Sequence, residues 1–107
     1  MNNNNTNINH ATLNLYNIFL TVAQTMNLSA ASKRLFISQP AISKAIKQLE
    51  NELGTTLFFR NSRGVQLTED GELLYSHIFN AFNEIATGEQ LLNSRKELGI
   101  GRIRFGA

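Results

Sequence analysis

The segment FISQPAISKAIKQLENELG, which runs from Phe36 to Gly54, decides the fold of this 107-residue chain. Its apolar residues recur every three or four positions, which predicts a helix with one buried face. That face consists of Ile42, Ile46, Leu49 and Leu53. Ser38 is a favourable N-cap, and Pro40 falls in the first turn, where a backbone N–H is not needed. Gly54 predicts the end of the helix, because glycine readily takes the left-handed conformation.

The opposite side of this helix is polar and lacks carboxylates. Successive residues lie about 100° apart around an α-helix, so the residues away from the apolar stripe share a second face. They are Pro40, Ser43, Lys44, Lys47 and Asn51. A solvated face usually mixes charge signs, whereas this one offers hydroxyl, amide and ammonium groups. It is either an ordinary wet surface or a surface that contacts an anion.

The residues before this segment predict two more helices. Leu13 begins a helical pattern that Asn27 is suited to end. Its apolar positions are Leu15, Phe19, Val22, Ala23 and Met26. Ser29 is expected to cap a short second helix with Ala31 and Leu35 on its inner side. Because only a brief apolar connection separates the second and third helices, the pair fits a helix-turn-helix.

After Gly54 the pattern changes to short strands. TTLFFR and GVQLT are rich in β-branched and aromatic residues, and the turn signal NSRG between them predicts a hairpin. Thr68 is expected to cap a long helix over 69–97. Its broad apolar face holds Leu74, Tyr75, Ile78, Phe79, Phe82 and Ile85. The predicted fold class is therefore mainly α: a winged helix-turn-helix of three helices and a β-hairpin wing, followed by a long helix.

Composition excludes several classes of function. The chain has no cysteine, so disulfides and thiolate metal sites are absent. His10 and His77 are the only histidines, and neither has a second ligand at helical spacing, so no metal and no cofactor are expected. No serine has a paired base, which argues against an enzyme. Since no apolar run reaches the length of a membrane span and no signal-peptide pattern is present, we expect a soluble, cytoplasmic protein without a membrane partner.

Positive charge is concentrated in one part of the chain. The net charge is only +2, yet residues 33–63 carry six lysines and arginines against Glu50 and Glu52. Residues 1–32 carry no charged side chain other than histidine, and residues 64–97 are acidic overall. Such a local basic segment attracts a polyanion more strongly than the average charge of the chain suggests.

These features favour double-stranded DNA as the partner. Gln39 lies at the leading end of the third helix, and a glutamine amide pairs with the major-groove edge of adenine. The N–H groups at the start of that helix suit a phosphate. On the hairpin, Arg60 and Arg63 are placed to reach phosphates or an adjacent minor groove. We therefore expect the helix over about 38–52 to act as a recognition helix in the major groove.

Two other functions remain open on these grounds. A winged helix also serves as a protein–protein or dimerisation module, since a fold alone does not determine function. Such a module would favour apolar or aromatic anchors, whereas this outer face is cationic and polar. Non-specific packaging of nucleic acid is a weaker alternative, because it would favour scattered lysines and need Gln39 less.

The stretch from Leu28 to Leu74 resembles the N-terminal winged helix-turn-helix of LysR-type transcriptional regulators, and the resemblance extends over about 13–97. The matching blocks are Ala30-Ala31, Ser38-Gln39-Pro40-Ala41, Ser43, Leu49-Glu50 with Leu53-Gly54, Leu57-Phe58 with Arg60, and Leu67-Thr68 before Gly71. The resemblance implies binding of operator DNA, with contacts from residues at the helix starts, on the recognition helix and on the wing. These residues are Ser29, Ser38, Gln39, Pro40, Ser43, Lys44, Arg60 and Arg63, to which the cationic outer face adds Lys47.

The resemblance also implies an oligomer and a further domain. The long helix resembles the linker helix through which family members pair as homodimers, with Leu74, Ile78, Phe82 and Ile85 at the interface. Regulators of this family normally continue into an α/β effector-binding domain, through which a small-molecule inducer acts and tetramers form. We therefore expect an Asn-rich disordered leader over 1–12, a DNA-binding domain over 13–68 and a dimerisation helix over 69–97. Residues 98–107 are expected to form a hinge and the first strand of a truncated effector domain.

Overall fold

In a computed structural model, residues 8–97 of the protein are described, and they are mainly helical. The elements in chain order are α1 (His10–Thr25), α2 (Leu28–Leu35), α3 (Gln39–Leu53), β1 (Phe58–Asn61), β2 (Gly64–Leu67) and α4 (Glu69–Glu97). The chain divides after Ser76 into two compact units. The first unit holds α1 to α3, the hairpin and the start of α4, which is the predicted winged helix-turn-helix. The second unit holds the rest of α4.

The core of the first unit forms where α1, α2 and α3 pack together and the hairpin covers them. Its largest fully buried side chains are Phe19, Ile42, Leu49, Leu57 and Val22. The rings of Phe19 and Phe58 contact each other with centroids 5.4 Å apart, which joins α1 to β1. The predicted apolar face of α3 is confirmed at Ile42, Ile46 and Leu49, but Leu53 in the last turn is 44% exposed.

The predicted ends of α3 are confirmed. The hydroxyl of Ser38 accepts a hydrogen bond from the backbone N–H of Ala41 at 3.2 Å, and Pro40 lies in the first turn. At the other end Gly54 has a φ of 71° and donates its N–H to the carbonyl of Glu50 at 2.8 Å. The sequence therefore fixes where α3 starts, and with it the position of Gln39.

The predicted ends of α1 and α2 need correction. α1 starts at His10 with Asn9 as its N-cap, so residues 10–12 belong to this helix and not to a disordered leader. It ends at Thr25, and its C-cap Met26 takes the left-handed conformation expected of Asn27. Asn27 is extended, and its side-chain oxygen accepts from the N–H of Ala30 at 2.8 Å, so Asn27 and not Ser29 caps α2. An asparagine side chain suits either helix end, and only the backbone conformation decides between them.

The hairpin forms as predicted, with antiparallel strands that pair from Phe58 opposite Leu67 to Asn61 opposite Gly64. Gly64 has a φ of 121°, and a Cβ there would lie 2.8 Å from the carbonyl oxygen of Met26. Only glycine fits both the backbone angle and this close approach. The Asn-rich residues 1–7 and the predicted strand in residues 98–107 lie outside the described residues.

Thr68 joins the hairpin to α4 and confirms the predicted cap. Its hydroxyl accepts from the N–H of Gly71 at 2.9 Å and donates to the carbonyl of Thr56 at 2.6 Å. Its own N–H donates to the carbonyl of Leu57 at 2.9 Å. The start of α4 is thus held against the chain that enters β1.

Replacing Gly71 with alanine is expected to destabilise the first unit. A Cβ at this buried position would lie 2.2 Å from the carbonyl oxygen of Leu57, so the backbone would have to shift. Overpacking of this kind costs roughly 1–3 kcal/mol, which urea unfolding followed by circular dichroism would measure. Gly88→Ala is the matched control: nothing lies within 4 Å of its Cβ, and alanine there should stabilise α4 by about 0.5–1 kcal/mol. Equal effects of the two substitutions would contradict the close approach at Gly71.

Candidate nucleic-acid interface

The outer face of α3 is a solvent-facing surface without acidic groups. Gln39 and Pro40 are exposed in its first turn, and Lys44 and Lys47 are exposed further along. Ser43, one turn after Gln39, is half-buried. The predicted helix-start serines, Ser29 and Ser38, are also exposed, although the Ser38 hydroxyl oxygen is engaged in capping α3. The α3 residues therefore present one amide and two ammonium groups to solvent, with a hydroxyl between them.

The two carboxylates of α3 have hydrogen-bond partners at the flanks of this face. Glu50 turns towards the hairpin, where its Oε2 accepts from the backbone N–H of Leu57 at 2.7 Å and of Phe58 at 3.2 Å. Glu52 accepts from the side chain of Gln48 at 3.1 Å. Sequence periodicity placed both acids on the flanks of the helix, but it carried no signal for the role of Glu50 as a partner of two strand N–H groups.

The two hairpin arginines have different surroundings. Arg60 on β1 reaches back to α3, where its Nη2 donates to the hydroxyl oxygen of Ser43 at 2.9 Å. Arg63 lies in the turn, where its backbone N–H donates to the side chain of Asn61 at 2.8 Å and its side chain is exposed. Both arginines were predicted to reach phosphates or an adjacent minor groove. The structure brings Arg60 to the α3 face and leaves Arg63 at the tip.

A groove of about 430 Å³ lies between α3 and the hairpin. Its lining combines an apolar floor with charged and hydroxyl groups: Val22, Leu28, Ser43, Lys44, Ile46, Lys47, Glu50, Phe58, Arg60 and Val65. Three of these are cationic, and the one carboxylate is bonded to two backbone N–H groups. Because cationic groups outnumber the single carboxylate, the groove favours an anionic partner.

The turn that precedes α3 lies where a brief apolar connection was predicted. Phe36 in this turn is 92% exposed and adopts a left-handed conformation with a φ of 59°. Its N–H donates to the carbonyl of Ser32 at 2.9 Å, and the Ser32 hydroxyl donates to the carbonyl of Ile37 at 2.5 Å. These bonds fix the chain direction between α2 and α3, which sets the angle at which α3 starts.

The predicted dimer residues lie along α4. Leu74 belongs to the first unit and is half-buried. In the second unit Ile78 and Phe82 are half-buried, and Ile85 is 58% exposed. Leu91 and Leu92, near the end of α4, are exposed by 62% and 59%. This helix therefore leaves large apolar side chains in contact with solvent over its second half.

Comparison with known proteins agrees with this geometry. The family model described as bacterial regulatory helix-turn-helix protein, lysR family, matches residues 13–72. HTH-type transcriptional regulator XapR of Escherichia coli (strain K12) is 44% identical over 98 residues, a match that covers 88% of this chain and 32% of XapR. The chain thus spans about a third of the length of this relative.

Two solved complexes with DNA have the same fold. The crystal structure of the BenM DNA-binding domain with catB site 1 DNA superposes with a TM-score of 0.68 at 29% identity, covering 84% of this chain and 98% of that one. The CbnR DNA-binding domain in its DNA complex gives a TM-score of 0.66 at 29% identity, covering 78% and 95%.

The fold and the cationic face of α3 define a winged helix-turn-helix DNA-binding domain. The proteins that match it are transcription regulators rather than enzymes. The chain belongs to the LysR family of bacterial regulatory helix-turn-helix proteins. Within the described residues, no helix is both long enough and apolar enough to cross a membrane.

Removing the Glu50 carboxylate is expected to destabilise the hairpin. Glu50→Ala leaves the N–H groups of Leu57 and Phe58, both buried residues, without their described acceptor. An unsatisfied donor of this kind costs about 1–3 kcal/mol, and chemical denaturation would measure the loss. Glu52→Ala removes an exposed carboxylate from the same helix and should change the free energy of unfolding by less than about 0.5 kcal/mol. Similar losses in both variants would show that Glu50 does not hold the hairpin.

Proposed function

We propose that this chain is the part of a bacterial transcription regulator that binds double-stranded operator DNA in a sequence-specific manner. α3 enters the major groove by its N-terminal end, and the hairpin lies at the backbone or the adjacent minor groove. This arrangement is the usual docking geometry of a helix-turn-helix.

The observation that carries this proposal is the absence of free carboxylates from the α3 face. Glu50 is turned to the hairpin backbone and Glu52 to Gln48, while Lys44 and Lys47 remain exposed. A DNA duplex is dense in phosphate, so the exposed ammonium groups of this face attract it. A protein-binding groove would instead favour exposed aromatic anchors on this face.

The exposed residues of α3, the hairpin tip and the start of α2 have different expected roles. Gln39 is exposed at the leading end of α3 and can make a bidentate contact with adenine. Lys44 and Lys47 neutralise phosphates, and Arg63 does so from the tip of the hairpin. Ser29 lies in the first turn of α2, where the exposed helix start suits a backbone phosphate. Pro40 packs beside the bases and has no backbone N–H to donate.

The likeness to the BenM and CbnR DNA-binding domains, both solved with DNA, supports this assignment. Membership of a family of bacterial regulators supports a cytoplasmic location, where the chromosome is accessible. Because the chain spans only about a third of a relative such as XapR, regulation by a small-molecule inducer and assembly into tetramers are proposed for the full-length protein through an effector-binding domain.

Gln39→Ala and Lys47→Ala should weaken DNA binding in different ways. Loss of Gln39 is expected to cost roughly 1–3 kcal/mol on the selected site and little on random DNA, because only the base contact is lost. Loss of Lys47 should weaken binding to both duplexes and lower the salt slope by about one. Fluorescence anisotropy titrations between roughly 50 and 200 mM salt measure both effects.

Gln48→Ala is the matched control for Gln39, because Gln48 lies about 180° around α3 and contacts Glu52. It should leave both affinities unchanged. Wild-type affinity that hardly changes across this salt range would refute the phosphate contacts. If Gln39→Ala lowered the affinity for selected and random DNA equally, Gln39 would have only a structural role.

We also propose that α4 pairs two copies of the chain. Ile78, Ile85 and Leu92 recur every seven residues, which places them on one stripe of a helix that winds around a partner. With 29 residues, α4 is about 43 Å long and offers room for several such contacts. Leu74 and Phe82 widen the stripe at its start. Half-sites in an operator would then be read by two α3 helices at once.

Ile85→Asp should convert the dimer into a monomer, because a carboxylate would be buried at the centre of the stripe. Sedimentation velocity at high protein concentration gives the mass. Asn83→Asp adds the same charge about 200° around α4 and should leave the dimer intact. A monomeric wild-type chain under these conditions would refute the pairing.

A further inference from the structure

Phe36, in the turn between α2 and α3, presents an aromatic ring to solvent. At 92% exposure, it is the most exposed large apolar side chain among residues 8–97. Its φ of 59° lies in the left-handed region, where asparagine and glycine are favoured and a bulky residue is strained. Met26 ends α1 in the same conformation but is only 38% exposed. Packing thus covers more than half of Met26, whereas Phe36 gains no comparable burial in return for its strain.

The turn holds Phe36 in a defined place. The backbone N–H of Phe36 donates to the carbonyl of Ser32 at 2.9 Å, and the Ser32 hydroxyl donates to the carbonyl of Ile37 at 2.5 Å. The ring is therefore carried by a braced connection between two helices. A side chain on an ordered backbone loses less conformational freedom when a partner binds it.

The surroundings of Phe36 are basic and lack acids. Lys33 and Arg34 are exposed in the last turn of α2. Arg34 Nη1 donates to the side-chain oxygen of Gln24 on α1 at 3.3 Å, so the basic surface extends to that helix. The chain has no aspartate or glutamate before Glu50, and α1, α2 and the turn therefore contribute none. We call Gln24, Lys33, Arg34 and Phe36 the turn patch.

The turn patch lies beside the DNA-binding face and differs from it in chemistry. Phe36 precedes Gln39 by three residues, so their Cα atoms are at most about 11 Å apart. The expected phosphate contact of α2 is at Ser29, at the opposite end of this helix from the turn. Phosphates and sugars at the edge of a duplex offer no apolar pocket for a ring. Aromatic residues and arginine are instead enriched among the anchors of protein–protein interfaces.

We propose that the turn patch docks RNA polymerase, through an acidic surface of that enzyme that holds an apolar pocket. The inference rests on the proposed function, because RNA polymerase is the enzyme on which a transcription regulator acts. Phe36 fills the pocket, and Lys33 and Arg34 face the carboxylates around it. Since the patch lies outside the α3 face, one chain can hold operator DNA and the polymerase together.

The test compares two affinities for each variant of the full chain. Fluorescence anisotropy of the labelled chain, titrated with purified bacterial RNA polymerase holoenzyme in the absence of DNA, gives the first. Titration of the selected duplex gives the second. Phe36→Asn should weaken polymerase binding by about tenfold or more, as removal of an interface anchor does, and leave DNA affinity unchanged. Its melting temperature should rise, because asparagine tolerates the left-handed conformation.

Three further variants examine the chemistry of the patch. Phe36→Tyr keeps an aromatic ring and should retain polymerase binding. Lys33→Glu places a carboxylate opposite the acidic partner and should weaken that binding, more so at low salt. Lys96→Glu makes the same change in net charge at an exposed position near the end of α4 and should leave it unchanged.

The outcomes separate this inference from the proposed function. A wild-type chain that selects no duplex refutes specific DNA binding, and the inference with it. If the wild type selects a site but does not bind the polymerase, or if Phe36→Asn binds it as tightly as the wild type, the inference alone is wrong. It is also wrong if Phe36→Asn weakens DNA binding, since Phe36 would then contact the duplex. Equal effects of Lys33→Glu and Lys96→Glu would refute docking at the patch.

Discussion

The bond between the Glu50 carboxylate and the backbone of β1 is the constraint on which the functional surface depends. It gives the N–H groups of Leu57 and Phe58 an acceptor at the point where the chain leaves α3 and enters the hairpin. The same carboxylate lines the groove beside Lys44 and Lys47. Fold and site are thus linked through one side chain, because the group that holds the wing in place also belongs to the groove.

The groove between α3 and the hairpin follows from this constraint. With the base of the hairpin held by Glu50 and by the three bonds of Thr68, Arg60 is brought within hydrogen-bond distance of Ser43. A hairpin that moved independently would carry its arginine as an ordinary surface charge, which contributes little that is specific. Here the arginine has a defined partner, Ser43, on another element.

Much of the fold could be predicted because the deciding signals are local. The apolar repeat of α3, the Ser38 cap, the Gly54 end and the Thr68 cap each depend on a few neighbouring residues, and all are confirmed. The ends of α1 and α2 were missed for a physical reason. Asn27 can cap a helix start or end a helix; here it caps α2 through Ala30, and Met26 takes the left-handed position.

The non-local part of the site was beyond sequence reasoning. Ser43 and Arg60 are separated by 17 residues, and Glu50 and Phe58 by eight, so their pairing depends on how the hairpin folds back. The exposure of Phe36 was missed as well, since an aromatic residue beside Ile37 suggests burial. The residue types on the α3 face could be read from the sequence, whereas the hydrogen-bond partners of Ser43 and Glu50 required the three-dimensional arrangement.

The close approach of Gly64 to the carbonyl of Met26 has a consequence for how the hairpin can vary. Together with Glu50 and Thr68 it attaches the base of the wing to the helical core, while Ser62 and Arg63 at the tip are exposed. The residues at the tip can therefore vary while the base of the hairpin stays in place. The length and charge of the tip can be altered while α3 keeps its place.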